Sequence, residues 1–255
     1  MKTSQLNHQR KLKALLQRPD IWRGNARAEL RTAITKKPLQ TGYDQLDKAL
    51  VQQGWPLGGV IEITQSELGM GEWQLIRPAL RRLENTPGYT VLINPPETPY
   101  APGLQAGRLN LQHFLIITPK NRTAGIAACI EALANSACKA LLFWESHYKL
   151  KPQELRRLQL AATGTNAFCL LFRHHNTLRQ SSPALLRLSL HISHEALLVN
   201  LIKQRGAFQR QTLNIDLPET WRTLPALSSE TWLQSLNDAT HTAHVLPFNQ
   251  QHPQR

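Results

Sequence analysis

One stretch constrains this chain more than any other: Val60-Ile61-Glu62-Ile63-Thr64-Gln65-Ser66-Glu67-Leu68-Gly69-Met70-Gly71-Glu72-Trp73-Gln74-Leu75-Ile76. Its β-branched start reads as a strand and its two glycines as a turn. Trp73, Leu75, Ile76, Leu80 and Leu83 follow at helical spacing. Strand, glycine-bearing loop and helix is the layout of a phosphate-binding loop. The chemistry of such a loop is missing. Aligning Gly71 with the second glycine of G-x-x-x-x-G-K-[ST] puts Ser66 at the first glycine, Glu72 at the lysine and Trp73 at the magnesium-binding hydroxyl. Sliding the frame to Gly69 places Thr64, Met70 and Gly71 there, which is no better. A carboxylate repels a triphosphate where an ammonium attracts it. The expectation is a nucleotide-binding architecture that has lost its nucleotide. Ser66, Gly69, Gly71 and Glu72 then form a relic loop with no cofactor, and the protein is not an enzyme. Gly69 and Gly71 serve the turn, and Glu72 opens the helix where its charge suits the dipole.

The rest of the chain alternates strand and helix. Strands are expected at 89–94, 114–118, 140–144 and 167–172, and helices at 72–83, 122–137 and 154–162. A short helix over Leu46 and Leu50, capped by Thr41 or Asp44, precedes them, and the turn 54–59 feeds the first strand. Residues 95–102 hold four prolines and read as a rigid extended segment that excludes a helix. Such alternation predicts an α/β fold with a mostly parallel sheet flanked by helices. After 186 the pattern becomes apolar–polar, which predicts an antiparallel, half-exposed hairpin of strands 186–192 and 197–203 at the sheet edge. The organisation expected is a basic arm over 1–40, an α/β domain over 41–217 and a polar tail over 218–255.

Charge narrows the partners. The chain has 30 basic and 17 acidic residues among 255, a formal charge of +13. That excess points to a polyanionic or acidic partner, most often nucleic acid. Arg10, Lys11, Lys13 and Arg23 stud the arm, which could neutralise phosphates, dock on an acidic protein surface or simply be solvated. Arg173, Arg179, Lys203, Arg205 and Arg210 are the candidate contacts of the domain, the first two in a polar loop read as mobile after the fifth strand. Single-stranded DNA fits that loop by charge, although it lacks stacking aromatics. Trp221 and Trp232 are bulky anchors in a polar tail that either orders on a partner or folds back on its own domain.

Other chemistries find little support. Cys129, Cys138 and Cys169 have no C-x-x-C spacing and read as buried thiols in a reducing compartment. His174, His175 and the histidines of the tail offer no three-ligand spacing for a metal. No nucleophile elbow surrounds the serines. The N-terminus lacks the apolar region of a signal peptide, and no apolar run is long enough for a membrane span. A cytoplasmic protein without a membrane role is expected. Glu97 and Glu145, each just past a strand, are where a hydrolase would keep its acids, so a residual ATPase stays open.

A series of motifs carries a resemblance. Trp22-Arg23-Gly24, Thr41-Gly42-Tyr43-Asp44-Gln45-Leu46-Asp47, Gly54-Trp55-Pro56-Leu57-Gly58 and Gly69-Met70-Gly71-Glu72 resemble the ImuA family of bacterial translesion-synthesis proteins. So do Pro95-Pro96, Pro99-Tyr100-Ala101-Pro102, Glu154 to Ala162, Phe172-Arg173, Ser182 to Leu188 and Lys203-Gln204-Arg205-Gly206, in order from about 20 to 216. The resemblance implies a RecA-like domain without a standard phosphate loop, acting in the SOS response to DNA damage and in mutagenesis. It implies as partners an ImuB-like inactive Y-family polymerase homologue and an error-prone DNA polymerase, with RecA and DNA as further candidates. The same superfamily contains the cell-division inhibitor SulA, which binds FtsZ and is the alternative reading. SulA-like proteins lack much of the portion before the first strand. Residues 41–59 and the basic arm are both present here, which favours ImuA.

Overall fold

In the computed structural model the described residues are 36–66, 71–145, 149–193, 196–206 and 211–216. They build one eight-stranded sheet. Its strands are β1 (Val60–Gln65), β2 (Tyr89–Ile93), β3 (Phe114–Ile117), β4 (Cys138–Trp144), β5 (Phe168–His174), β6 (Leu186–Ile192), β7 (Ala196–Gln204) and β8 (Gln211–Asp216). The spatial order is β3-β2-β4-β5-β1-β6-β7-β8. The pairs among β1 to β6 are all parallel, and β7 runs antiparallel to both β6 and β8.

β1 lies near the centre, between β5 and β6, and every one of its residues is buried. Strand alternation sends Ile61 and Ile63 to one face and Val60 to the other. On the first face sit α1 (Asp44–Ala49) and α2 (Glu72–Arg82), with Leu46, Leu75, Ile76 and Leu80 packed against Trp55, Trp144, Phe168 and Phe172. The second face is covered by α4 (Arg122–Ala134) and α5 (Pro152–Ala162), whose Ile126, Leu133, Leu155 and Leu158 meet Leu141, Phe143 and Leu171. Each such aliphatic side chain contributes about 1.5–3 kcal/mol by leaving water. Local chemistry starts the helices. Asn121 accepts the Ala124 N–H at 2.9 Å, and the Glu154 carboxylate reaches back to the Lys151 N–H at 2.6 Å.

The helix after the relic loop carries a proline in its interior, and the chain before β1 is built around it. Pro78 has no N–H for the Gln74 carbonyl. The Tyr43 hydroxyl supplies that bond instead, at 2.6 Å. Gly42, at φ +90°, lies so close that a Cβ there would come within 2.4 Å of the Pro78 side chain. The Gly42-Tyr43 pair is therefore a dock for α2.

Three expectations need correction. Residues 95–102 do not exclude a helix: α3 (Ala101–Ala106) starts inside them, because proline is tolerated in a first helical turn. Neither Thr41 nor Asp44 caps α1. Tyr43 stands at the N-cap, and Asp47 reaches back to the Thr41 N–H at 2.9 Å. The hairpin is part of a three-stranded unit completed by β8, and its first strand continues the parallel sheet beside β1.

Candidate functional site

The carboxyl ends of β4, β5, β1 and β6 are adjacent, and each presents a charged side chain on the second face. Glu62 stands in the middle of β1, fully buried. A carboxylate in that setting requires partners. Arg187 of β6 donates to its Oε1 from Nη2 at 2.7 Å and from Nε at 3.1 Å. Arg173 of β5 adds an Nη1 bond to the same oxygen at 3.4 Å, and the Ser182 hydroxyl donates to Oε2. Arg173 also grips Glu145, just past β4, through Nε at 2.6 Å and Nη2 at 3.1 Å. The Leu150 N–H donates to Glu145 as well. Two carboxylates and two guanidiniums thus neutralise one another out of solvent. Burial works against the charge of Arg173, yet its bonds to and attraction by Glu145 and Glu62 outweigh this and hold its pKa above the ordinary arginine value.

A bulge brings a third cation to the rim. Arg187 pairs with Lys203 while Leu188 pairs with Leu201, so Ile202 of β7 is extra. Leu188 and Arg187 point to opposite faces, whereas Leu201 and Lys203 would share one. The extra residue reconciles the two patterns and sets Lys203 beside Arg187. Lys203 Nζ donates to the carbonyls of Ser182 at 2.7 Å and Ala184 at 3.0 Å. Burial first, then Arg205 and Arg187, lower its pKa, and Glu62 opposes them.

The same guanidiniums hold the loop after β5. Arg187 donates to the carbonyls of Gln180 at 3.0 Å and Thr177 at 3.1 Å, and Arg173 donates to the Gln180 side chain at 3.3 Å. The expectation of a mobile loop there is corrected: residues 175–179 form a 3-10 turn pinned from below.

Around the relic loop, Gly71 caps α2 in the left-handed region at φ +88°, and a Cβ there would approach Leu197 to 3.1 Å. Glu72, in place of a lysine, is 3% exposed. Ser66 is half-buried, and Gly69 lies outside the described residues. Glu97 is exposed beyond β2, whereas Glu145 is committed to Arg173.

Among the proposed contacts, Arg173 is corrected. It is 2% exposed and bound to Glu145 and Glu62, so it faces the protein interior and not DNA or a partner. Lys203 and Arg205 are half-buried, and Arg179 is exposed. Arg10, Lys11, Lys13, Arg23, Arg210, Trp221 and Trp232 lie outside the described residues. The network residues that sequence reasoning missed are Glu62 and Arg187. The signal was a lone charge inside each of two apolar runs, Val60–Ile63 and Leu185–Leu188.

The cysteines are buried as expected, and burial pushes the Cys138 thiol up to about 11 and those of Cys129 and Cys169 well up. Among the described residues, no helix is long and apolar enough to cross a membrane, and no three His, Cys, Asp or Glu side chains cluster to hold a metal. No protein-family model matches the chain, and no curated protein matches it.

Proposed function

We propose that this chain is a non-catalytic accessory protein of the SOS response, of the ImuA type, which helps assemble a translesion DNA synthesis complex. The ordered series of motifs from about 20 to 216 supports this reading. The RecA-like character is part of the proposal. It is supported by a loop-bearing strand near the centre of a parallel sheet, with acids beyond β2 and β4. The observation that carries the non-catalytic reading is the grip of Arg173 on Glu145. The acid that would meet a nucleotide-bound magnesium already has an internal guanidinium on both oxygens. With Glu72 in the lysine position, the site repels phosphate and has committed its acid elsewhere.

The test is co-purification of the full-length chain from DNA-damaged cells. Recovery of an ImuB-like polymerase homologue is the expected result. Recovery of FtsZ without it, together with filamentous cells on expression, would replace this reading with the SulA-like one.

A further inference from the structure

The sheet has two edges, and they are protected differently. β8 presents Gln211, Thr212, Asn214 and Asp216 to solvent. β3, at the other edge, is Phe114-Leu115-Ile116-Ile117, with no charge and no proline among them. Leu115 is 45% exposed and Ile116 is 50% exposed, and alternation places them on opposite faces of the strand. Native edge strands are ordinarily blunted by an inward charge, a proline or a bulge. β3 has none of these within its span.

Its backbone is open as well. The Ile117 carbonyl accepts the Asn94 N–H at 2.8 Å, so it points toward β2. Alternation then turns the N–H and C=O of Ile116 outward, away from the sheet. Exposed Arg108 and Lys120 lie on either side of β3 in sequence, and neither has an ion-pair partner among the described residues. We propose that the β3 edge is a docking site for an extended segment of another protein, apolar at its centre and acidic at its ends, which adds as a ninth strand.

Charge selects this occupant over the alternatives. A second copy pairing β3 antiparallel to β3 would set the Arg108 end of one against the Lys120 end of the other, and like charges across strands repel. The chain's own residues 217–255 have two apolar runs, Leu224-Pro225-Ala226-Leu227 and Val245-Leu246-Pro247-Phe248, each interrupted by a proline that cannot donate to a ladder. The inference does not rest on the function proposed above, since a nucleotide-binding chain could carry the same edge.

The experiment uses the full-length chain and a labelled synthetic Val/Thr peptide with aspartates at both ends. Fluorescence anisotropy measures affinity, and residue-resolved hydrogen exchange reads the Ile116 amide. That amide should exchange fast in the free protein and slow on peptide addition. Arg108→Glu with Lys120→Glu should weaken binding at least about tenfold, and a lysine-ended peptide should bind that variant better than the wild type. Slow exchange at Ile116 before peptide is added would mean that the chain or a second copy already covers the edge, and would overturn the proposal. So would binding that is blind to the peptide's charge or protects β8 instead. Because the two charge substitutions lie outside the strand, they leave its packing intact.

Discussion

Replacing Glu62 by leucine removes one charge from a balanced, buried quartet. Glu62 Oε1 accepts three guanidinium N–H bonds and Oε2 one hydroxyl bond. After Glu62→Leu, Arg173 keeps Glu145, but Arg187 retains only the carbonyls of Thr177 and Gln180. One guanidinium is then buried without a counter-charge. Leaving such a charge behind costs about 3–5 kcal/mol, and the two surviving carbonyl bonds favour the lower end. For a domain of this size, ~3 kcal/mol lowers Tm by about 6–12 °C. Urea unfolding gives the free energy directly, and an unchanged m-value would show that the denatured state is comparable.

The decisive variant is the double one. Glu62→Leu with Arg187→Met restores neutrality around the remaining Arg173–Glu145 pair. It should recover at least half of the single variant's loss, a coupling of about 1.5 kcal/mol or more. Full recovery is not expected, because Arg187 also holds the backbone after β5. If Glu62→Leu is as stable as the wild type, or if the double variant loses the sum of the two single losses, the charge-balance reasoning is refuted.

Tyr43→Phe removes the bond to the Gln74 carbonyl and should cost about 1 kcal/mol. In a Pro78→Ala background the helix supplies its own N–H, so the same substitution should cost clearly less; equal losses would disprove the coupling. The three buried thiols should resist a thiol reagent at neutral pH while the protein is folded, and fast labelling of all three would contradict their burial. Because burial raises Cys138 from 9.0 to about 11, the folded state holds its proton longer than the unfolded chain. The stability it contributes is complete below pH 9 and is lost as pH rises through about 11, a loss that Cys138→Ala should lessen. Finally, Glu72→Lys restores the loop lysine but leaves Arg173 on Glu145, so a fluorescent ATP analogue with magnesium should not bind saturably; saturable binding would refute the committed-acid argument.

The parts of the fold that were legible in the sequence are those with a local signal. β1, the loop and α2 follow from a β-branched run, two glycines and apolar residues at helical spacing, and β4 and β5 are nearly continuous apolar runs. β8 was not legible, because Gln211-Thr212-Leu213-Asn214-Ile215-Asp216 buries only Leu213 and Ile215 at an edge. α3 was hidden by reading Pro102 as a breaker when its position in the first turn makes it harmless. The charged quartet joins residues up to 125 positions apart, so no periodicity could reveal it. What the sequence did contain was the anomaly itself, a charged residue where two-sided burial demands an apolar one.

That quartet also changes where the chain's charge must act. Glu62, Glu145, Arg173 and Arg187 cancel, so burying them removes nothing from the formal +13 of the whole. The surplus therefore lies on the remaining residues. Among the described ones, Arg179, Arg156 and Arg157 are exposed, and much of the rest is in residues 1–35. A polyanion would be recognised by these groups through screened, salt-dependent contacts, and not by the arginine at the end of β5. Neutralising the arm's Arg10, Lys11 and Lys13 should therefore reduce the salt slope of DNA binding. Arg173→Met should instead destabilise the fold, since it strips Glu145 and Glu62 of a shared partner. If Arg173→Met left stability intact and weakened DNA binding alone, the assignment of that guanidinium to the interior would be wrong.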